Sequence, residues 1–96
     1  MKIGATDAGG STPLHWACYS AAENAVAALI AWGAELDAQE NVHGSTPLHL
    51  AVIAGNSRIV KWLLVAGSDR SIANKKGQTA CDLALEQKDE HIAYII

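Results

Sequence analysis

Between residues 46 and 67 apolar side chains recur at helical spacing in two short bursts. Leu48, Ala51 and Val52 make the first and Ile59, Val60, Leu63 and Leu64 the second, with Gly55 and Gly67 closing each burst. Thr46 offers a hydroxyl to cap a helix start, and Pro47 fills the first helical position, where a missing N–H costs nothing. Asn56 and Ser57 signal the second start, and the small side chain of Ala54 allows a partner helix to approach closely. The pattern predicts two antiparallel helices within about 22 residues. The polar, Gly- and Asn-containing stretch 68–78 then has to carry the chain back, as a β-turn or projecting hairpin.

The same pattern lies on either side. Gly10-Ser11-Thr12-Pro13-Leu14-His15 returns unchanged as Gly44-Ser45-Thr46-Pro47-Leu48-His49, and a worn copy follows at Gly77-Gln78-Thr79-Ala80-Cys81-Asp82. The capping threonines are 34 and then 33 positions apart, the period of a stacked helix-turn-helix repeat. Ala17, Val26, Leu29, Ile30, Gly33, Ala34 and Ala38 fall in step upstream, and Leu83, Ala84, Ile92, Ile95 and Ile96 downstream.

These residues resemble the ankyrin repeat, over nearly the whole chain from about Asp7 to Ile96. The resemblance implies an all-α fold, an ankyrin-repeat solenoid of about two and a half to three helix-turn-helix repeats with projecting β-turns or hairpins. It implies one domain over 1–96, with repeats at about 7–40, 41–73 and, in partial or C-terminal form, 74–96. Three departures stand out. Ala21 replaces the glycine that normally breaks the first helix, so that turn is either strained by about 1 kcal/mol or differently shaped. The return loop 39–44 carries one extra residue and should protrude. Asp82 and Ala80 replace the His and Pro of the third copy, so no histidine bridge between repeats is expected there. The first repeat opens without a polar cap and the last has barely begun its second helix at Ile96. The expectation is a piece of a longer protein, either monomeric or weakly dimeric through its uncapped ends.

Composition narrows the function. Half of the 96 residues are apolar and 18% charged, which excludes disorder. The net charge of −3 is uneven: residues 1–48 hold Lys2 against five acidic side chains, and the rest is nearly balanced. No basic stripe for nucleic acid follows from this. No apolar run is long enough to span a membrane, and Met1–Thr6 lacks the core of a signal peptide, so no membrane insertion of this segment is expected. Cys18 and Cys81 lie inside predicted helices of different repeats, which suits reduced thiols and an intracellular, cytosolic setting.

Catalytic and metal chemistry find little support. His15 and Cys18 share a helix face like a base and a nucleophile, yet no third group orients the base, and both positions read as structural. Four histidines and two cysteines form no CxxC or HxxxH pair, so no metal is expected. The glycines fall at turns, not in GxGxxG order between a strand and a helix, so no nucleotide or other cofactor is expected.

Ankyrin-like stacks bind proteins on the concave side formed by finger tips and the flanks of the first helices. Carried onto this chain, that places Trp16, Tyr19, Leu50 and Ile53 on helix flanks and Asn41, Val42, His43, Lys75, Lys76 and Gln78 on fingers as partner-binding candidates. Trp and Tyr are the residue types that dominate interface energies. Glu35, Asp37 and Glu40 make the first finger acidic, while Arg70, Lys75 and Lys76 make the second basic, so neighbouring fingers are expected to attract. Trp62 reads as packing, whereas Trp32 beside Gly33 is expected on the surface as a second contact. The run from Thr12 to Tyr19, with Ala31-Trp32-Gly33-Ala34 and Thr46 to Val60, also resembles the ankyrin segment of Asp-His-His-Cys protein S-acyltransferases, or palmitoyltransferases. That resemblance implies a non-catalytic module that recruits substrate proteins through extended peptides, with Trp16 in the groove. A free-standing scaffold or inhibitor masking one partner is the alternative.

Overall fold

The computed structural model describes residues 8–96, so Asp7, the expected start of the first repeat, lies outside the described residues. Six short helices follow one another: α1 (Pro13–Tyr19), α2 (Glu23–Ala31), α3 (Pro47–Ala54), α4 (Ser57–Ala66), α5 (Ala80–Glu86) and α6 (Glu90–Ile95). Among the described residues there is no strand; the projecting segments are turns. Helices this short are not stable alone in water, so their starts and their packing have to hold them.

The three threonines do the first part. The hydroxyls of Thr12, Thr46 and Thr79 each accept the backbone N–H three residues on, all at 3.3 Å. The side chain at that third position accepts the threonine N–H in return: His15 Nδ1 at 2.9 Å, His49 Nδ1 at 3.1 Å and Asp82 Oδ2 at 3.0 Å. An imidazole that accepts at Nδ1 carries its proton on Nε2, and there it donates to the next unit. His15 Nε2 reaches the Ser45 carbonyl and His49 Nε2 the Gln78 carbonyl, each at 2.9 Å. Asp82 has no proton to donate, so the third unit keeps the cap and lacks the bridge.

Packing does the second part. α1 lies on α3 and α3 on α5, while α2 lies on α4 and α4 on α6, so the helix pairs stack side by side. One apolar seam runs through all three pairs, with Leu14, Cys18, Val26, Leu48, Val52, Ile59, Leu63 and Ile92 essentially inaccessible to water. Single backbone bonds also tie each finger to the preceding turn: Asn41 N–H to the Gly9 carbonyl at 2.6 Å and Lys75 N–H to the His43 carbonyl at 2.8 Å.

The fingers are not held by opposite charge. Among the described residues Arg70, Lys75 and Lys76 make no ion pair with Glu35, Asp37 or Glu40, which corrects the expected attraction. Glu40 turns inward instead, the Lys75 ammonium donates to the Asn41 carbonyl, and Gln39 Nε2 bridges the Gly44 and Ala73 carbonyls at 2.8 and 3.0 Å.

The first helix of each pair ends on a left-handed residue at the same register: Ala21 (φ 56°), Gly55 (φ 74°) and Lys88 (φ 59°). Only Gly55 adopts this without Cβ strain, so the strain expected at Ala21 is present and recurs at Lys88. Ala21→Gly and Lys88→Gly should each raise stability by about 0.5–1 kcal/mol in urea denaturation, whereas Gly55→Ala should lower it by about 1 kcal/mol.

Burial lowers the His49 pKa below its ordinary value, with the bond to the Gln78 carbonyl opposing. Below pH 6.5 the unfolded chain therefore takes up a proton that folded His49 refuses, so this contribution is complete above about 6.5 and is lost as pH falls. Stability measured in urea should fall between pH 7.5 and 5.5, and by less in His49→Gln.

Candidate functional site

A groove of about 440 Å³ opens between the first finger and the flanks of α1 and α3. Its mouth is formed by Trp16, Tyr19 and Val42, exposed to 54%, 56% and 64%, with His43 at the rim, half-buried Leu50 on the floor, and Glu40 and His15 behind. Five of the ten candidates thus come together: Trp16, Tyr19, Val42, His43 and Leu50. The others lie elsewhere. Asn41 and Lys75 line a separate recess between the fingers, where the Lys75 ammonium already holds the Asn41 carbonyl. Ile53 is exposed on α3 outside the groove and Lys76 is exposed on the second finger. The Gln78 amide is engaged by Glu86 and Asn74.

The finger keeps its shape through a residue whose role the sequence obscures. Glu40 is only 7% exposed, and its carboxylate accepts the N–H groups of Val42 (2.7 Å), His43 (2.8 Å) and Ser45 (3.0 Å). His43 Nδ1 lies 3.6 Å from the same carboxylate. Burial alone would raise the Glu40 pKa, but the three backbone donors outweigh it and hold the group below the usual carboxylate range. In the next finger Asn74 does the same at the same register, its Oδ1 accepting from Lys76 at 2.9 Å and Gln78 at 3.0 Å. A side-chain acceptor in the same place of two successive loops was the available signal; a charge count hides it.

The polar groups behind the groove are thus occupied by the protein itself. Both ring nitrogens of His15 are bonded and both oxygens of Glu40 accept, so what the groove presents is largely apolar area with the Tyr19 hydroxyl and the His43 ring at its edge. Cys18, on the buried face of α1, is inaccessible to water and its thiol is pushed up to about 12 by desolvation, so it is not a thiolate at neutral pH. Among the described residues no group of three or more His, Cys, Asp or Glu is placed to hold a metal ion, and no helix is long and apolar enough to cross a membrane.

Glu40→Ala should cost about 2 kcal/mol by stranding three backbone donors, with Glu40→Gln intermediate because one oxygen remains. Chemical denaturation checks the cost. Because the folded pKa is lowered, the contribution of Glu40 is complete above the ordinary carboxylate pKa and disappears as pH falls through the folded value.

The family model of ankyrin repeats (many copies) matches residues 14–64. The chain is 38% identical over 92 residues to mouse (Mus musculus) palmitoyltransferase ZDHHC13, covering 95% of this chain and 15% of that protein. It is 36% identical over 79 residues to rat (Rattus norvegicus) palmitoyltransferase ZDHHC17, covering 81% of the chain and 13% of the relative. It is also 40% identical over 80 residues to mouse ankyrin repeat and SAM domain-containing protein 6, covering 83% and 9%. The chain therefore spans 15% or less of the length of these relatives.

Proposed function

Because the chain belongs to the ankyrin-repeat family, we propose that it is a non-catalytic protein-interaction module whose helix pairs form a solenoid of two and a half to three repeats. A partner protein or extended peptide occupies the groove between the first finger and α1. The observation that carries this reading is the exposed cluster of Trp16, Tyr19 and Val42 over a groove whose polar walls are already satisfied. Such a surface gains by covering apolar area and offers no unpaired charge for an ion to neutralise.

The similarity to two palmitoyltransferases over most of this chain supports a narrower role, as the cytosolic, substrate-recruiting ankyrin segment of an Asp-His-His-Cys protein S-acyltransferase. In that role this segment supplies binding and the remainder of the parent supplies the acyl transfer. The comparable identity to an ankyrin-repeat protein not named as a palmitoyltransferase keeps the second reading, a free-standing scaffold or inhibitor that masks one partner protein. Joining the chain to flanking sequence separates them: a downstream block of several apolar spans with an Asp-His-His-Cys segment belongs to the first reading only.

Selection of linear peptides from a displayed random library on the purified chain tests the groove. Trp16→Ala should weaken the selected peptides by about 30-fold, a loss near 2 kcal/mol, while shifting the melting temperature by only a few degrees. Unchanged affinity in a folded Trp16→Ala protein would remove the groove from consideration.

A further inference from the structure

The groove is continued by the next step of the same surface. The Lys75 N–H donates to the His43 carbonyl at 2.8 Å, so the second finger lies directly against the residue at the groove's rim. On α3, Leu50 and Ile53 stand one repeat after Trp16 and Tyr19, with Leu50 half-buried and Ile53 exposed. The flank that carries an aromatic pair on α1 is therefore repeated on α3 in aliphatic form. The finger is repeated too, with one change of chemistry. Glu40 accepts the Val42 N–H at 2.7 Å, and Asn74 accepts the Lys76 N–H at 2.9 Å. Both fingers close alike, Glu40 N–H on the Ser45 carbonyl and Asn74 N–H on the Gln78 carbonyl. Lys76 thus takes the backbone place of Val42, which lines the groove. A valine tip over the first step becomes a lysine tip over the second.

That lysine is free to meet a ligand. The Lys75 ammonium is engaged by the Asn41 carbonyl, whereas the Lys76 side chain is exposed and has neither an ion pair nor a hydrogen bond among the described residues. The acids near it are committed. Glu40 holds three backbone N–H groups, and Glu86, at the register of Ile53 on α5, accepts from the Gln78 amide. Resting on the role proposed for the groove, we propose that its partner is an acidic peptide. An extended segment sets an apolar side chain in the groove beside Trp16 and a carboxylate against the Lys76 ammonium. Packed helices lie about 8–10 Å apart, a step that an extended chain crosses in about three residues. The acid therefore belongs about two to four positions from the apolar anchor. The two parts act differently: the anchor supplies most of the affinity, while the exposed ion pair adds little and chiefly rejects basic segments.

Peptides selected from a displayed random library on the purified chain, then synthesised and measured for affinity, test the proposal. Selected sequences should carry Asp or Glu about two to four positions from an aliphatic or aromatic residue, and changing that acid to Lys should weaken binding about tenfold. Lys76→Ala should weaken the same peptides about threefold and Lys76→Glu about tenfold, with unchanged circular dichroism. Lys61→Glu makes the same charge reversal on α4, at an exposed position that lines a different hollow, and should change affinity less than about twofold. The Lys76→Glu protein should bind the acid-to-Lys peptide better than the wild-type chain does. Binding that falls in Trp16→Ala but not in Lys76→Glu would leave the groove standing and overturn the acidic partner. Selected sequences without an acid at that spacing, or an equal loss in Lys61→Glu, would do the same. Affinity indifferent to Trp16→Ala, or a library that yields no binder, would overturn the groove reading and this proposal with it.

Discussion

An imidazole sitting between a helix start and the neighbouring unit has to accept a proton at one nitrogen and donate at the other, and only the neutral Nε2–H form can do both. His15 and His49 are held in that form by the threonine N–H at Nδ1 and a carbonyl at Nε2. One side chain thereby couples two scales. It completes the cap of a short helix that would not persist alone, and it sets the distance to the next unit. The carbonyl that His15 holds belongs to Ser45, whose own N–H is bound by Glu40, so the first finger and its groove hang from the same bond.

The bridge does not act alone. Beside the bond from His49 to the Gln78 carbonyl, Gln87 donates to the Val52 carbonyl at 2.8 Å and Ala80 and Ala84 are buried, so α5 is joined to α3 by packing as well. On the opposite side Glu23 accepts from Asn56 at 3.0 Å and from Arg58 at 3.1 Å, an exposed link that adds register and little energy. Each helix pair contacts only its neighbours, so the stack is held as a chain of nearest-neighbour contacts.

Function follows from which polar groups the fold has used up. The finger and the caps consume the donors and acceptors behind the groove, leaving aromatic and aliphatic surface exposed. In a globular enzyme the same His, Glu and Cys would invite a chemical role. Here each is bound to backbone or buried, and the first finger owes its conformation to a largely buried carboxylate that binds three backbone N–H groups.

The repeat period, the helix starts at Thr12, Thr46 and Thr79, the glycine stops and the family were all legible in the sequence, because caps, helical spacing and turn residues are local and recur. The strain at Ala21 was legible for the same reason, while its twin at Lys88 was hidden, since a lysine in a polar loop gives no sign of its φ. Of the candidate residues, Trp16, Tyr19, Val42, His43 and Leu50 converge on one groove, but Asn41, Lys75 and Gln78 are drawn into contacts within and between the fingers. The bonds from Lys75 to the Asn41 carbonyl and from Gln39 to the Ala73 carbonyl join segments one repeat apart, and the inward turn of Glu40, though local, depends on backbone donors that only the folded finger presents. Local order alone specifies which units form. How they share hydrogen bonds, and which surface is left over, is decided only when they are stacked, because a polar group's partner is chosen by distance in space.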